Sequence, residues 1–145
     1  MSINLLKHGK FDSVLAAVAA GTSNQSSSSI DMVGFESAVF VCSWGAIVNG
    51  GVQSCKIQTS TNDSNFADLL GTNLAVADGD DGLLTIIEIV EPAERYLRMI
   101  VARATQNSTI NQVIAYRHGS SVEPKTQGAT VQGNEIHFSP PRGTA

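Results

Sequence analysis

Arg95-Tyr-Leu-Arg-Met-Ile-Val-Ala-Arg-Ala104 and Thr109-Ile-Asn-Gln-Val-Ile-Ala-Tyr-Arg117 are two blocks rich in β-branched and aromatic residues, separated by Thr105-Gln-Asn-Ser108. Such residues suit a pleated, half-buried surface. The polar link is long enough for a hairpin and too short for a crossover helix, so the blocks are expected to be paired antiparallel strands. The rest of the chain repeats this plan, with short apolar segments between Ser/Asn/Gly/Asp loops. The sequence therefore reads first as something that presents a surface.

Further strands are expected over 12–20, 30–32, 37–44, 52–59, 73–76, 83–90 and 135–139. Ser37–Trp44 is apolar almost throughout and is expected to be central, covered on both faces. Asn49-Gly50 signals a hairpin, because a type I′ turn needs positive φ at both central positions; pairing around it would bring Cys55 roughly opposite Trp44. Asp63 or Ser64 could cap one helical turn carrying Phe66, Leu69 and Leu70. The polar run Gly21–Ser29 reads as a mobile loop. Strands at this spacing predict an all-β fold, an antiparallel β-sandwich of jelly-roll type, with under about one-tenth helix and a closed barrel as the alternative. The expected core is Val39, Val41, Ile57, Ile86, Ile89, Ile100, Val101, Ile114 and Phe138.

Length and composition agree. The 145 residues suit one domain with a proper core. It divides into an N-terminal arm (1–11), the sandwich (12–139) and a C-terminal tail (140–145), because both ends lack periodic apolar content. Only 15% of residues are charged, against roughly 25% in ordinary soluble domains. A neutral polar surface of that kind suits extensive protein contact, since docking desolvates few full charges.

The net charge of −4 argues against nucleic-acid binding, which needs a basic face. No apolar run approaches the roughly 20 residues that cross a bilayer. Lys7, His8 and Lys10 before Val14–Ala20 superficially resemble a signal peptide, but the apolar stretch is at the short limit and Asp12 interrupts its approach, so a strand of small residues is the preferred reading. Cys42 and Cys55 lie in apolar strand contexts and are expected to be free, buried thiols of a protein made in a reducing cytoplasm.

Chemistry-bearing motifs are weak. Asp78-Gly-Asp-Asp-Gly82 invites a calcium reading, yet aligning Gly82 and Glu88 with the calcium-loop pattern puts Ala77 and Gly79 where its first two ligands belong. His8, His118 and His137 share no metal-ligand spacing with either cysteine. There is no nucleophile elbow, dinucleotide fingerprint or phosphate loop. Trp44, Tyr96 and Tyr116 could form a sugar platform, but each sits in an apolar strand where core packing is the simpler account. No catalytic, cofactor-binding or metal residue is assigned, no cofactor is expected, and the chain is not expected to be an enzyme.

Several stretches together carry a resemblance: Ile30-Asp-Met-Val-Gly-Phe-Glu-Ser-Ala-Val-Phe-Val41, Phe66-Ala-Asp-Leu-Leu-Gly71, Asp80-Asp81, Glu94-Arg-Tyr-Leu-Arg98 and Val113-Ile-Ala-Tyr116. In this order the chain resembles structural proteins of tailed bacteriophages, more narrowly the capsid cement (decoration) proteins of podovirus-like phages, including one from a Bordetella phage. The likeness spans roughly 12–145 and rests on packing patterns. It implies a jelly-roll-like sandwich bound to the outside of a capsid shell, with the major capsid protein as partner, no nucleic acid and no membrane. The expected location is the virion, on the capsid exterior. A homo-oligomer is expected, dimer ahead of trimer because two-fold closure is commonest. The alternatives are another phage head or tail protein, a carbohydrate-binding sandwich, or a hydrolase without a recognised motif.

Overall fold

The computed structural model describes residues 4–139 and 141–144. It is a β-sandwich with about 3% helix. After a single helical turn, α1 (Leu5–His8), come eleven strands. They are β1 (Lys10–Leu15), β2 (Val18–Gly21), β3 (Gln25–Ser26), β4 (Ile30–Asp31), β5 (Ser37–Ile47), β6 (Val52–Ser60), β7 (Ala67–Asp68), β8 (Leu74–Val76), β9 (Leu84–Val90), β10 (Tyr96–Ala104) and β11 (Ser108–His118).

Two sheets form. In sheet A the order is β1-β11-β5-β9, with β2 also on β11; in sheet B it is β3-β10-β6-β7, with β4 also on β10 and β8 also on β6. β1 with β2, β3 with β4, and β7 with β8 each act as one interrupted strand, which leaves eight strands in the jelly-roll order. Every recorded pairing is antiparallel.

Neither expected hairpin forms. β10 pairs with β6 and β11 pairs with β5, so Thr105–Asn107 carries the chain from one sheet to the other. Asn49–Gly51 does the same between β5 and β6, and Cys55 pairs with Val101 rather than lying opposite Trp44. The reason is metric. Strands in one sheet lie about 4.8 Å apart and packed sheets about 10 Å apart; three extended residues span about 10 Å. A short link fits either arrangement, and a jelly roll keeps most consecutive strands in opposite sheets. The two arches hold each other, with Val48 N donating to Asn107 O at 2.9 Å. Thr105 takes positive φ (71°) at one bend and Gly50 (89°) at the other, and only the glycine does so without steric cost.

The core lies between the inner faces. Phe40, Cys42 and Trp44 of β5 and Val113 and Ala115 of β11 meet Cys55 and Ile57 of β6 and Leu97, Met99 and Val101 of β10, all fully buried. Trp44 donates its indole N–H to Thr85 Oγ1 at 2.9 Å, which satisfies its one polar atom. Two arginines close the seam between the sheets. Arg103 of β10 is 3% exposed; it donates to the carbonyls of Ser23 (2.9 Å), Ala19 (3.0 Å) and Ser108 (2.6 Å). Arg117 of β11 donates to Asp31 O at 2.8 Å and to the Asp12 carboxylate at 2.6 Å.

Other expectations need correction. No helix follows Asn62; its side chain instead accepts from Ser64 N (3.0 Å) and Asn65 N (2.9 Å), a turn-capping arrangement that competes with helix. The serine run is not a free loop. It contains β3, and Ser27 is buried, exchanging hydrogen bonds of 2.9 Å with the backbone of Met99. No strand forms over 135–139, where Phe138 is 73% exposed. β11 already has neighbours on both sides, so Ile136-His137-Phe138 finds no free strand position beside it. The sheet starts at Lys10, within the segment read as an arm, and the last strand ends at His118. Residues 1–3, 140 and 145 of the expected arm and tail lie outside the described residues.

Candidate functional site

Of the nine expected core residues, Ile57, Val101 and Ile100 are buried and Ile89 packs partly against the core. Phe138 is exposed. The other four, Val39, Val41, Ile86 and Ile114, share one surface. Register places Ile114, Val41 and Ile86 side by side across β11, β5 and β9, with Gln112, Ser43 and Leu84 in one flanking row and Tyr116, Val39 and Glu88 in the other. Alternation along a strand sends these side chains away from the core. Ile86 is 55% exposed, Leu84 59% and Val90 65%. The outer face of sheet A therefore carries an apolar stripe three strands wide.

Its local causes are plain. β5 has apolar residues on both parities, but Ser37 and Ser43 share the parity of Val39 and Val41, whereas Ala38, Phe40, Cys42 and Trp44 run without interruption. In β9 the charged Glu88 shares the parity of Ile86. These polar markers were the available signal for the outward phase. The stripe is edged by Phe11 and Tyr116, whose rings lie 4.4 Å apart. Tyr116 also donates its hydroxyl to Leu5 O at 2.6 Å, and burial pushes its pKa up. On the other side His118 Nε2 lies 2.8 Å from Glu88 Oε1, so the acid on the face has a partner.

The motifs weighed for chemistry do not assemble. Asp78 Oδ2 accepts from Gly50 N (2.7 Å) and Asp80 Oδ2 from Ala77 N (2.9 Å), so both carboxylates serve turns. No group of three metal-ligating side chains is present among the described residues. The histidines are dispersed, with His8 on Glu123, His118 on Glu88 and His137 on Glu135. Trp44 is fully buried, Tyr116 lies on sheet A and Tyr96 on sheet B, so the three aromatics form no platform. Cys42 and Cys55 are free and fully buried. Hydrogen bonding with the Cys42 thiol, reinforced by burial, pushes the Cys55 pKa up, which keeps it protonated and poorly nucleophilic.

A concavity of about 470 Å³ is an open groove lined by Met32, Phe35, Glu36 and the 91–95 turn. Such openness gives little of the enclosure that small-molecule sites use. Among the described residues no helix is long and apolar enough to cross a membrane.

No known family model matches the chain, and no curated protein matches it. Among solved structures it is similar to the PBSX exported protein XepA, at 17% identity and a TM-score of 0.54, covering 96% of this chain and 46% of that one. It also aligns with the infectious bursal disease virus Gx strain structure at 14% identity and a TM-score of 0.42, covering 81% of this chain and 33% of the other. The XepA likeness shows the fold, and this chain spans less than half of that protein's length.

Proposed function

We propose that the protein is a structural virion component of a tailed bacteriophage, a cement protein that docks on the outer surface of the major capsid shell and stabilises it. The carrying observation is the apolar stripe on the outer face of sheet A, centred on Val41, Ile86 and Ile114. Contiguous exposed apolar surface rimmed by polar residues marks a protein-contact site. The resemblance read in the sequence supports the shell as partner and a phage origin, and the fold it implies is shared with the PBSX exported protein XepA. The same reading makes the protein a non-enzyme without cofactor, located on the capsid exterior.

The test uses empty shells of the encoding virus. Purified protein should decorate them, and Ile114→Lys, on the central part of the stripe, should lose retention while its circular dichroism stays unchanged. Decoration by the variant as tight as by the original chain would remove the stripe as the docking surface. Absence of any decoration by the original chain would remove the cement role.

A further inference from the structure

A sheet edge is a row of unpaired N–H and C=O groups, and proteins usually blunt it with short strands, charges or a covering segment. Most edges here are treated so. β1 is covered by the chain after β11: Gln127 accepts from Phe11 N (2.9 Å) and donates to Gly9 O (2.9 Å), and Thr130 accepts from Ser13 N (3.2 Å). In sheet B the edges are broken into β3 and β4 on one side and β7 and β8 on the other, none longer than three residues.

β9 is the exception. It runs seven residues, Leu84-Thr-Ile-Ile-Glu-Ile-Val90, with no Pro, Gly or Lys. Its recorded strand pairing is with β5 alone. Trp44 N donates to Leu83 O and Glu91 N to Glu36 O, so the odd positions of β9 bond to β5. By the alternation of antiparallel ladders, the N–H and C=O groups of Leu84, Ile86, Glu88 and Val90 point outward along the open edge. A long, flat, apolar edge of this kind is a template for another strand.

We infer that the occupant of this edge is β9 of a second copy of the chain, paired antiparallel about a two-fold axis at Ile87. Centring there sets Leu84 against Val90 of the second copy and Ile86 against Glu88. Every outward-pointing backbone group then meets another, giving about eight N–H···O bonds. Charge favours a copy over a foreign strand. The single charge on β9, Glu88, already has a hydrogen-bond partner in its own chain, His118 at 2.8 Å, and the register sets it against Ile86 of the second copy and not against Glu88, so an identical strand meets no like charge directly opposite and no basic strand is required. Pairing also continues sheet A across the axis, setting the two apolar stripes side by side. A body with two equal docking faces binds a repetitive surface more tightly than either face alone. The inference stands on the strand edge and does not depend on the capsid reading.

Sedimentation velocity of the full chain should show a dimer, and Ile86→Glu, at an exposed position, should give a folded monomer, because it sets a second carboxylate against Glu88 of the other copy. The register has its own test. Mixed Ile86→Cys and Glu88→Cys proteins should form a disulfide-linked heterodimer under mild oxidation, while neither alone links efficiently, because 86 faces 88 across the axis and neither position faces its own copy. A wild-type monomer at every loading concentration overturns the inference. So does a dimer that survives Ile86→Glu, or cross-linking without the 86–88 preference. If the chain is monomeric in solution yet Ile86→Glu abolishes shell binding while Ile114→Lys does not, the edge belongs to the shell protein and the self-pairing is wrong.

Discussion

The two outer faces of the sandwich are finished in different ways. On sheet B, Lys56 donates to Asp68 at 2.8 Å, Gln58 donates to the same carboxylate at 2.8 Å, and Arg98 donates to Gln58 Oε1 at 2.9 Å while its guanidinium covers the Phe66 ring at 4.0 Å. That face satisfies itself with hydrogen bonds and shields its apolar rings with the stems and heads of long polar side chains. On sheet A the corresponding positions are Val41, Ile86, Leu84 and Ile114, with little above them. One face is finished with polar side chains, and the other leaves its apolar side chains uncovered. Since both rest on the same core, substitutions can separate what holds the sheets together from what each face does outside.

The largest effect should come from beneath both faces. Phe40 is fully buried between the sheets, and Phe40→Ala should cost about 3–5 kcal/mol through lost burial and the cavity left behind. Urea unfolding should show a lower midpoint with a similar m value. A loss below about 1 kcal/mol would mean the inner faces repack easily and that the inward phase of β5 matters less than its burial indicates.

Arg103 comes next, because it joins sheet B to the sheet A side of the seam. Its burial lowers its pKa, yet an arginine stays charged inside a protein, and here the charge is met by backbone carbonyls. Arg103→Ala leaves these acceptors without their donor and should cost about 2–4 kcal/mol. Arg103→Lys should recover only part of this, since a lysine lacks the fork that reaches several carbonyls at once. Full recovery by lysine would show that charge, and not the fork, closes the seam.

On the outer face of sheet A the sign of the comparison reverses. Ile114→Lys removes an exposed apolar side chain, so stability of the isolated protein should change by within about 0.5 kcal/mol, while shell retention falls. Loss of several kcal/mol in the isolated chain would mean that the stripe belongs to the fold and is not a contact surface.

These contrasts also explain what the sequence could and could not say. The strand positions of β5, β6 and β8 to β11 were legible because β-branched runs alternate with turn residues, whereas β7 lies in the stretch expected as a helical turn. Partnering was not, since Thr105–Ser108 and Asn49–Gly51 are as compatible with an arch as with a hairpin. Core residues were misplaced where both parities are apolar, in β5, β9 and β11. There the outward face is as apolar as the inward one, and Ser37, Ser43, Glu88 and Gln112 mark the outward row. The bare edge of β9 was not legible at all, because it depends on which strands lie beside it.

The smallest expected effect lies on sheet B. The hydrogen bond from Lys56, then that from Gln58, holds the Asp68 carboxyl below its ordinary value of 3.8. A folded-state pKa lowered in this way means that the folded protein binds the proton more weakly than the unfolded chain does. The interaction therefore stabilises above the unfolded value and is lost as pH falls through the folded one. Lys56 and Asp68 are 31% and 54% exposed, so solvent screens the pair and its contribution to stability is slight. Lys56→Ala should raise the Asp68 titration midpoint, read from its carboxyl carbon resonance, while the neutral-pH unfolding midpoint barely moves. High salt should narrow the difference between the two proteins. If the Asp68 midpoint stays where it is, the polar network of sheet B is not formed in solution, and the contrast between the two faces rests on sheet A alone.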